Sequence, residues 1–251
     1  MKNMIYVLIA LLVLSAASSQ PTTGIVTYVQ INKLDFETFF DEQDLQRVTD
    51  YLGGELPQSS KAPKRLVFSE TASLFENDPD GAASDVRLKN IQLRMDMRRP
   101  RPKLEKVYFD FDNNQKIEQV EFMTRYFRIV NEIDKPAWKL SDKHTKILDY
   151  ICMGAELQKG EDVYIAYFTS EIPVSLGPDE FIGLPGLVLA VEKNGETVYL
   201  ATSIELGPLE EAISEPQDGK KVTQCEFDDI LKNKVREFEE TKQKERRSNR
   251  R

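Results

Sequence analysis

The chain has 251 residues, 34 basic against 42 acidic, with one His, two Cys and a formal net charge of −8. That length suits one domain, or at most two small ones, with enough chain to bury a core. The acidic balance argues against nucleic acid or an anionic membrane as the main partner, and the single His144 excludes a metallohydrolase built on two or three histidine ligands.

In chain order, residues 1–19 carry one early Lys, an apolar run from Met4 to Leu14 and then small residues, the layout of a secretory signal peptide cut after Ala17 or Ser19. The run is shorter than the roughly 20 apolar residues a membrane span needs, so no transmembrane span is expected. Residues 20–240 are expected to form one β-rich domain, and 241–251 a basic, disordered tail. Such a chain is exported, periplasmic or outer-membrane associated.

TGIVTYVQIN alternates and reads as an opening strand. In DEQDLQRVTDYLGG, Asp41 or Asp44 caps a short helix with apolar Leu45, Val48 and Leu52, stopped by Gly53 and Gly54. ELPQSSKAP is a polar connector and KRLVFSETASLFEN a strand-like run. In VRLKNIQLRMDM the apolar positions 86, 88, 91, 93, 95 and 97 fit a strand with a bulge near Lys89 and Asn90. The basic loop after it, MRRPRPKLEK, either contacts an anionic group or simply faces water.

KVYFDFDNNQKIEQVEFMTRYFRIVNEI predicts a hairpin turning around Asp112 to Gln115. The same stretch approaches a calcium loop: Asp110, Asp112, Asn114, Glu118 and Glu121 fall at positions 1, 3, 5, 9 and 12. Position 6 is Gln115 where that loop wants Gly, and a hairpin turn explains the same Asp and Asn residues without an ion. No other motif implies a cofactor. AWKLSDKHTKILDYICMGAEL and EDVYIAYFTSEIPV give further strands. Asn194-Gly195, between alternating apolar runs, is the strongest hairpin signal in the chain. EFDDILKNKVREF spaces Phe227, Ile230, Leu231, Val235 and Phe238 as an amphipathic helix. Beyond it, residues 242–251 carry six basic side chains against Glu245, a tail suited at most to weak contact with an anionic surface. The expected fold class is therefore α+β: a mainly antiparallel curved sheet with a short N-terminal helix and a C-terminal amphipathic helix.

GLPG, residues 183–186, is neither a phosphate loop, since no Lys-Ser/Thr comes after it, nor part of a membrane helix. Pro185 and Gly186 have the chemistry of a type II turn feeding a strand from Leu187. AYFTSEIPVSLGPDEFIGLPGLVLAVE resembles the signature of the GLPGLI family of exported Bacteroidota proteins, as do the FMTRYFRIVNE and AWKLSDKHTKILDYICMGA stretches before it. Asp149 stands where that family usually has Gly. The resemblance implies export and no particular chemistry. Its distinctive positions here are Phe168, Thr169, Ile172, Pro173, Gly177, Pro178, Phe181, Gly183, Leu184, Pro185 and Gly186. Either this segment is a rim presenting Phe181 and Leu184 to a partner, or it folds back to cap the sheet.

Cys152 and Cys225 would sit in a compartment that permits disulfides. They pair, or Cys152 is a buried small hydrophobe and Cys225 its unrelated fellow. No G-x-S-x-G elbow occurs. Two functions survive: a non-catalytic protein binding an envelope protein or small ligand through the GLPG segment or a sheet concavity, and a carboxylate-pair hydrolase of envelope or dietary polymers. A purely structural accessory role stands behind both.

Overall fold

A computed structural model describes residues 22–81 and 85–248. The expected signal peptide at 1–19 and the last three residues of the expected basic tail lie outside them. In chain order the elements are β1 (Gly24–Lys33), α1 (Glu42–Leu52), β2 (Ser59–Phe68), β3 (Ala72–Asn77), α2 (Val86–Arg98), β4 (Lys103–Asp110), β5 (Gln115–Phe122) and β6 (Arg125–Glu132). Then come β7 (Lys139–Ile147), β8 (Tyr150–Lys159), β9 (Asp162–Thr169), β10 (Leu187–Lys193), β11 (Glu196–Leu206), β12 (Lys220–Val222) and α3 (Gln224–Ser248).

The described strands form one open, curved 12-stranded sheet in the order β12-β6-β5-β4-β3-β2-β1-β11-β10-β9-β8-β7. Two meanders, β1 to β6 and β7 to β11, are sewn together where β11 returns to lie antiparallel to β1, pairing Gly24 with Leu206. The short β12 adds a parallel partner to β6. At the other edge β7 reads KLSDKHTKI and is exposed along nearly its whole length. Lysines on such an edge discourage pairing with a further chain.

Alternation sets the core. Val26, Leu66, Phe75 and Val107 lie on adjacent strands, with Leu66 opposite Val26, Phe75 opposite Leu66 and Val107 opposite Phe75. All four are buried on one face, together with Phe68, Phe109 and Ala201. The opposite face carries the row Arg65, Glu76 and Lys106, where Glu76 accepts from Arg65 at 2.6 Å and pairs with Lys106 at 2.8 Å. The Asn194-Gly195 turn forms as expected, with φ of 52° and 83°, the two positive values a type I′ turn needs.

The first helix forms as expected. Asp41 caps α1 by accepting from the Asp44 amide, and Gly53 ends it in the left-handed region. Several elements differ from the sequence reading: KRLVFSETASLFEN, read as one run, is divided between β2 and β3, and β12 is an addition to it. Residues 86–98 are a helix, α2, capped by Asp85. Leu88, Ile91 and Met95, three and seven residues on from the first, pack with Phe36, Phe40 and Val48 of the α1 region. Val86, Leu93 and Met97, which completed the apparent alternation, are exposed. Strand β2 begins at Ser59, so part of the polar connector is ladder paired with β1. The last helix, α3, packs Phe227 at a ring distance of 5.4 Å on Phe127 of β6, and it continues to Ser248, through most of the segment read as a disordered tail. There Lys242 Nζ donates to the Arg98 carbonyl at 3.1 Å, tying its far turn to the end of α2. Among the described residues no helix is long and apolar enough to cross a membrane.

Candidate functional site

The segment between β9 and β10, residues 170–186, is folded on itself by backbone bonds: Gly183 N donates to Ser175 O, Leu187 N to Ile172 O and Val188 N to Leu176 O. Such internal pairing lets irregular backbone sit against a core. Pro185 does not form the expected type II turn. Gly186 N donates to Leu184 O at 2.8 Å, a three-residue γ-turn around Pro185. Gly186 is needed for another reason as well: a Cβ there would overlap the Thr169 carbonyl.

Phe181 and Leu184 are only 4% and 1% exposed, so they cap the core instead of facing a partner. The Phe181 ring lies 5.3 Å from Tyr164, 6.2 Å from Trp138 and 6.3 Å from Tyr199. Trp138 Nε1 donates to Ile182 O at 2.8 Å and pins the segment from outside. Pro178 and Gly186 are buried as well, which leaves Pro173, Gly183 and Pro185 exposed. The recognition rim is thus corrected to a plug with three small exposed corners.

The plug also turns one carboxyl toward the sheet. Asp179 sits in the left-handed region at φ 57° and turns its carboxyl to β11, where the Tyr199 hydroxyl donates to Oδ2 at 3.1 Å and accepts from Gln30 Nε2 at 3.2 Å. The protein encloses Asp179 while leaving part of its surface open to a cavity. Burial, reinforced by Glu180, pushes its pKa up to about 6 against the Tyr199 hydrogen bond. Burial likewise raises the Tyr199 phenol above its ordinary range.

That cavity, about 910 Å³, lies at the polar end of the core face, walled by β1, β2, β3, β4, β11 and α2. Its floor follows the strand register. Beyond apolar Val26 and Tyr28, β1 presents Gln30 and Asn32; beyond Phe68 and Leu66, β2 presents Lys64. Lys64 is 6% exposed, its ammonium 6.0 Å from the Phe75 ring centre. Burial lowers its pKa, and the Glu105 and Asp179 carboxylates only partly offset that. Among the described residues Lys64 has neither a salt bridge within 4.0 Å nor a hydrogen bond.

The five residues of the calcium template do not converge. Asp110 ends β4 and spends its carboxylate on the Asn113 amide and side chain, at 2.9 and 2.8 Å. Glu118 and Glu121 lie inside β5, three and six residues from its start at Gln115. At about 3.3 Å per residue they stand roughly 10 and 20 Å up the strand, on opposite faces. Glu118 pairs with Lys116 at 3.2 Å. The turn is a hairpin, with Asn114 at φ 51°, and no group of three or more metal-type ligands occurs among the described residues. The cysteines are both free: Cys152 is buried on β8 near one end of the sheet order, and Cys225 is exposed at the start of α3, beside the other. His144 is an exposed residue of edge strand β7.

A family model described as "Protein of unknown function (Porph_ging)" matches residues 155–190. The matched stretch runs from β8 through β9 and the plug into β10, so it contains Asp179 but not Lys64, Gln30 or Tyr199. No curated protein matches. Two solved structures of PNGF-II, in different crystal forms, are similar over 83% of this chain at 17% identity, with TM-scores of 0.50 and 0.49. The chain spans about a third of their length, 33% and 32%. At that identity the first of these likenesses speaks for the β-rich fold alone.

Proposed function

We propose that this is an exported, non-catalytic binding protein whose ligand occupies the cavity over Lys64, with the GLPG segment as the architectural plug that presents Asp179 to it. The observation that carries this reading is the buried, unpartnered Lys64 ammonium. Partial desolvation of an ammonium that has no ionic partner costs stability, and a ligand that meets it across the cavity recovers part of that cost. The apolar leader at 1–19 and the GLPGLV sequence support export and kinship with the GLPGLI group. The test is native mass spectrometry of the mature chain after incubation with an extract of small polar metabolites, beside a Lys64→Met variant. A bound mass present on the parent and lost from the variant supports the site; one retained undiminished by the variant moves binding elsewhere.

One observation favours a second reading as a carboxylate-dependent hydrolase. Asp179, with a pKa of about 6, holds its proton in the range a general acid requires, and Glu105 lines the same cavity. Turnover of envelope or dietary polymers abolished by Asp179→Asn would support it; binding that persists without turnover refutes it.

A further inference from the structure

The charged residues lining the cavity divide into two sets. At the rim, Lys33 pairs with Glu196 at 2.8 Å, Lys193 with Asp162 at 2.8 Å and Lys103 with Asp96 at 2.6 Å. Arg101 reaches Asp96 at 3.9 Å and lies over the Phe39 ring at 5.3 Å. These groups are already satisfied. Asp35, the remaining rim acid, accepts from the amide and hydroxyl of Thr38 within its own turn.

The other three charges lining the cavity, Lys64, Asp179 and Glu105, are left without an ionic partner among the described residues. Both carboxylates act on the Lys64 ammonium electrostatically, yet neither comes within salt-bridge distance of it. Each keeps spare capacity. Asp179 uses Oδ2 for Tyr199, and Glu105 uses Oε2 for Asn77 at 2.9 Å, leaving one oxygen on each. Lys64 has three donors uncommitted.

Resting on the cavity reading, we propose that the ligand is a zwitterion of the amino-acid or short-peptide class, its carboxylate on Lys64 and its ammonium between Asp179 and Glu105. A simple anion would meet Lys64 but face two carboxylates. A simple cation would satisfy the carboxylates and leave the lysine stranded. A neutral polyol would fill hydrogen-bonding positions and place no charge against any of the three. A zwitterion alone places opposite charge against each group at once. Phe75, Val198 and Leu104 wall the same space and supply an apolar surface for a side chain.

Isothermal titration of the mature chain against L-leucine and L-leucylglycine, with N-acetyl-L-leucine, L-leucinamide and glucose as comparators, decides the matter. The expected result is that at least one zwitterion binds tenfold or more tighter than either singly charged analogue. Lys64→Met then abolishes its advantage over leucinamide, and Asp179→Asn reduces its advantage over N-acetyl-leucine. Lys64→Gln serves if the Met variant misfolds, checked by circular dichroism. Saturable binding of glucose or of a singly charged analogue with equal or greater affinity overturns the ligand class while leaving the cavity as a binding site. Saturable binding by none of the five overturns both.

Discussion

Replacing Asp179 by Asn removes an ionisable group and keeps nearly everything else. Asn tolerates the left-handed backbone that Asp179 occupies at φ 57°, and its amide oxygen still accepts from the Tyr199 hydroxyl. Burial and Glu180 raise the native pKa from 3.8 to about 6. A difference of about 2.2 units at 1.36 kcal/mol each is about 3 kcal/mol. The sign comes from proton binding. Between these two values the native state holds the proton more tightly than the unfolded chain, so stability is fully present below the unfolded pKa and falls as pH rises through 6. The penalty is complete by about pH 7.5.

The assay is urea unfolding of both proteins at pH 4 and pH 7.5. Taking the difference between variant and parent, and then between the two pH values, cancels the titrating groups that do not interact with Asp179. The Asn variant should gain about 2.4 kcal/mol on the parent across that interval, because the unfolded carboxyl is already more than half ionised at pH 4. This is roughly 0.8 M in urea midpoint for a denaturant slope of about 3 kcal/mol per molar. A pH-independent difference would mean that Asp179 ionises as a solvated carboxylate, and the picture of an enclosed acid at the cavity floor would be wrong.

Gly186→Ala should destabilise by at least about 2 kcal/mol, because its Cβ would overlap the backbone of Thr169; a melting temperature lowered by less than about 4 °C would contradict the close approach. Trp138→Phe strands the Ile182 carbonyl that Nε1 now serves, with an expected loss of about 1–3 kcal/mol by denaturant titration. An aromatic thiol reagent should label Cys225 at once and Cys152 only on unfolding, since burial encloses the latter and raises its pKa to about 11. Labelling of neither before reduction, and of both after it, would establish the bond the structure lacks.

Most of the ladder was legible because alternation and turn chemistry agree locally: Asn194-Gly195 specifies its own hairpin, and Asp41 with Gly53 brackets α1. The segment 86–98 was not, since its apolar positions satisfy both periods, and only packing of Leu88, Ile91 and Met95 on the α1 region selects the helix. The cavity left a trace that was readable in principle. Gln30 continues the inward phase of Val26 and Tyr28, and Lys64 that of Leu66 and Phe68, so polar residues stand where alternation calls for apolar ones. What no local pattern carries is the juxtaposition: Tyr199 and Asp179 reach Gln30 and Lys64 only through pairings across more than a hundred residues.

The seam between β1 and β11 governs the order of assembly. A chain emerging from its N-terminus can lay down β1 through β6 by near-neighbour pairings, but the free side of β1 must wait for residues about 200, almost the last strand to appear. Long-range pairings of this kind are slow, which leaves an interval in which the two meanders are not yet joined. Gln30 and Tyr199 belong to the two sides of that seam, so the pocket cannot exist before it closes. Ligand binding would then serve as a report that folding has run to completion.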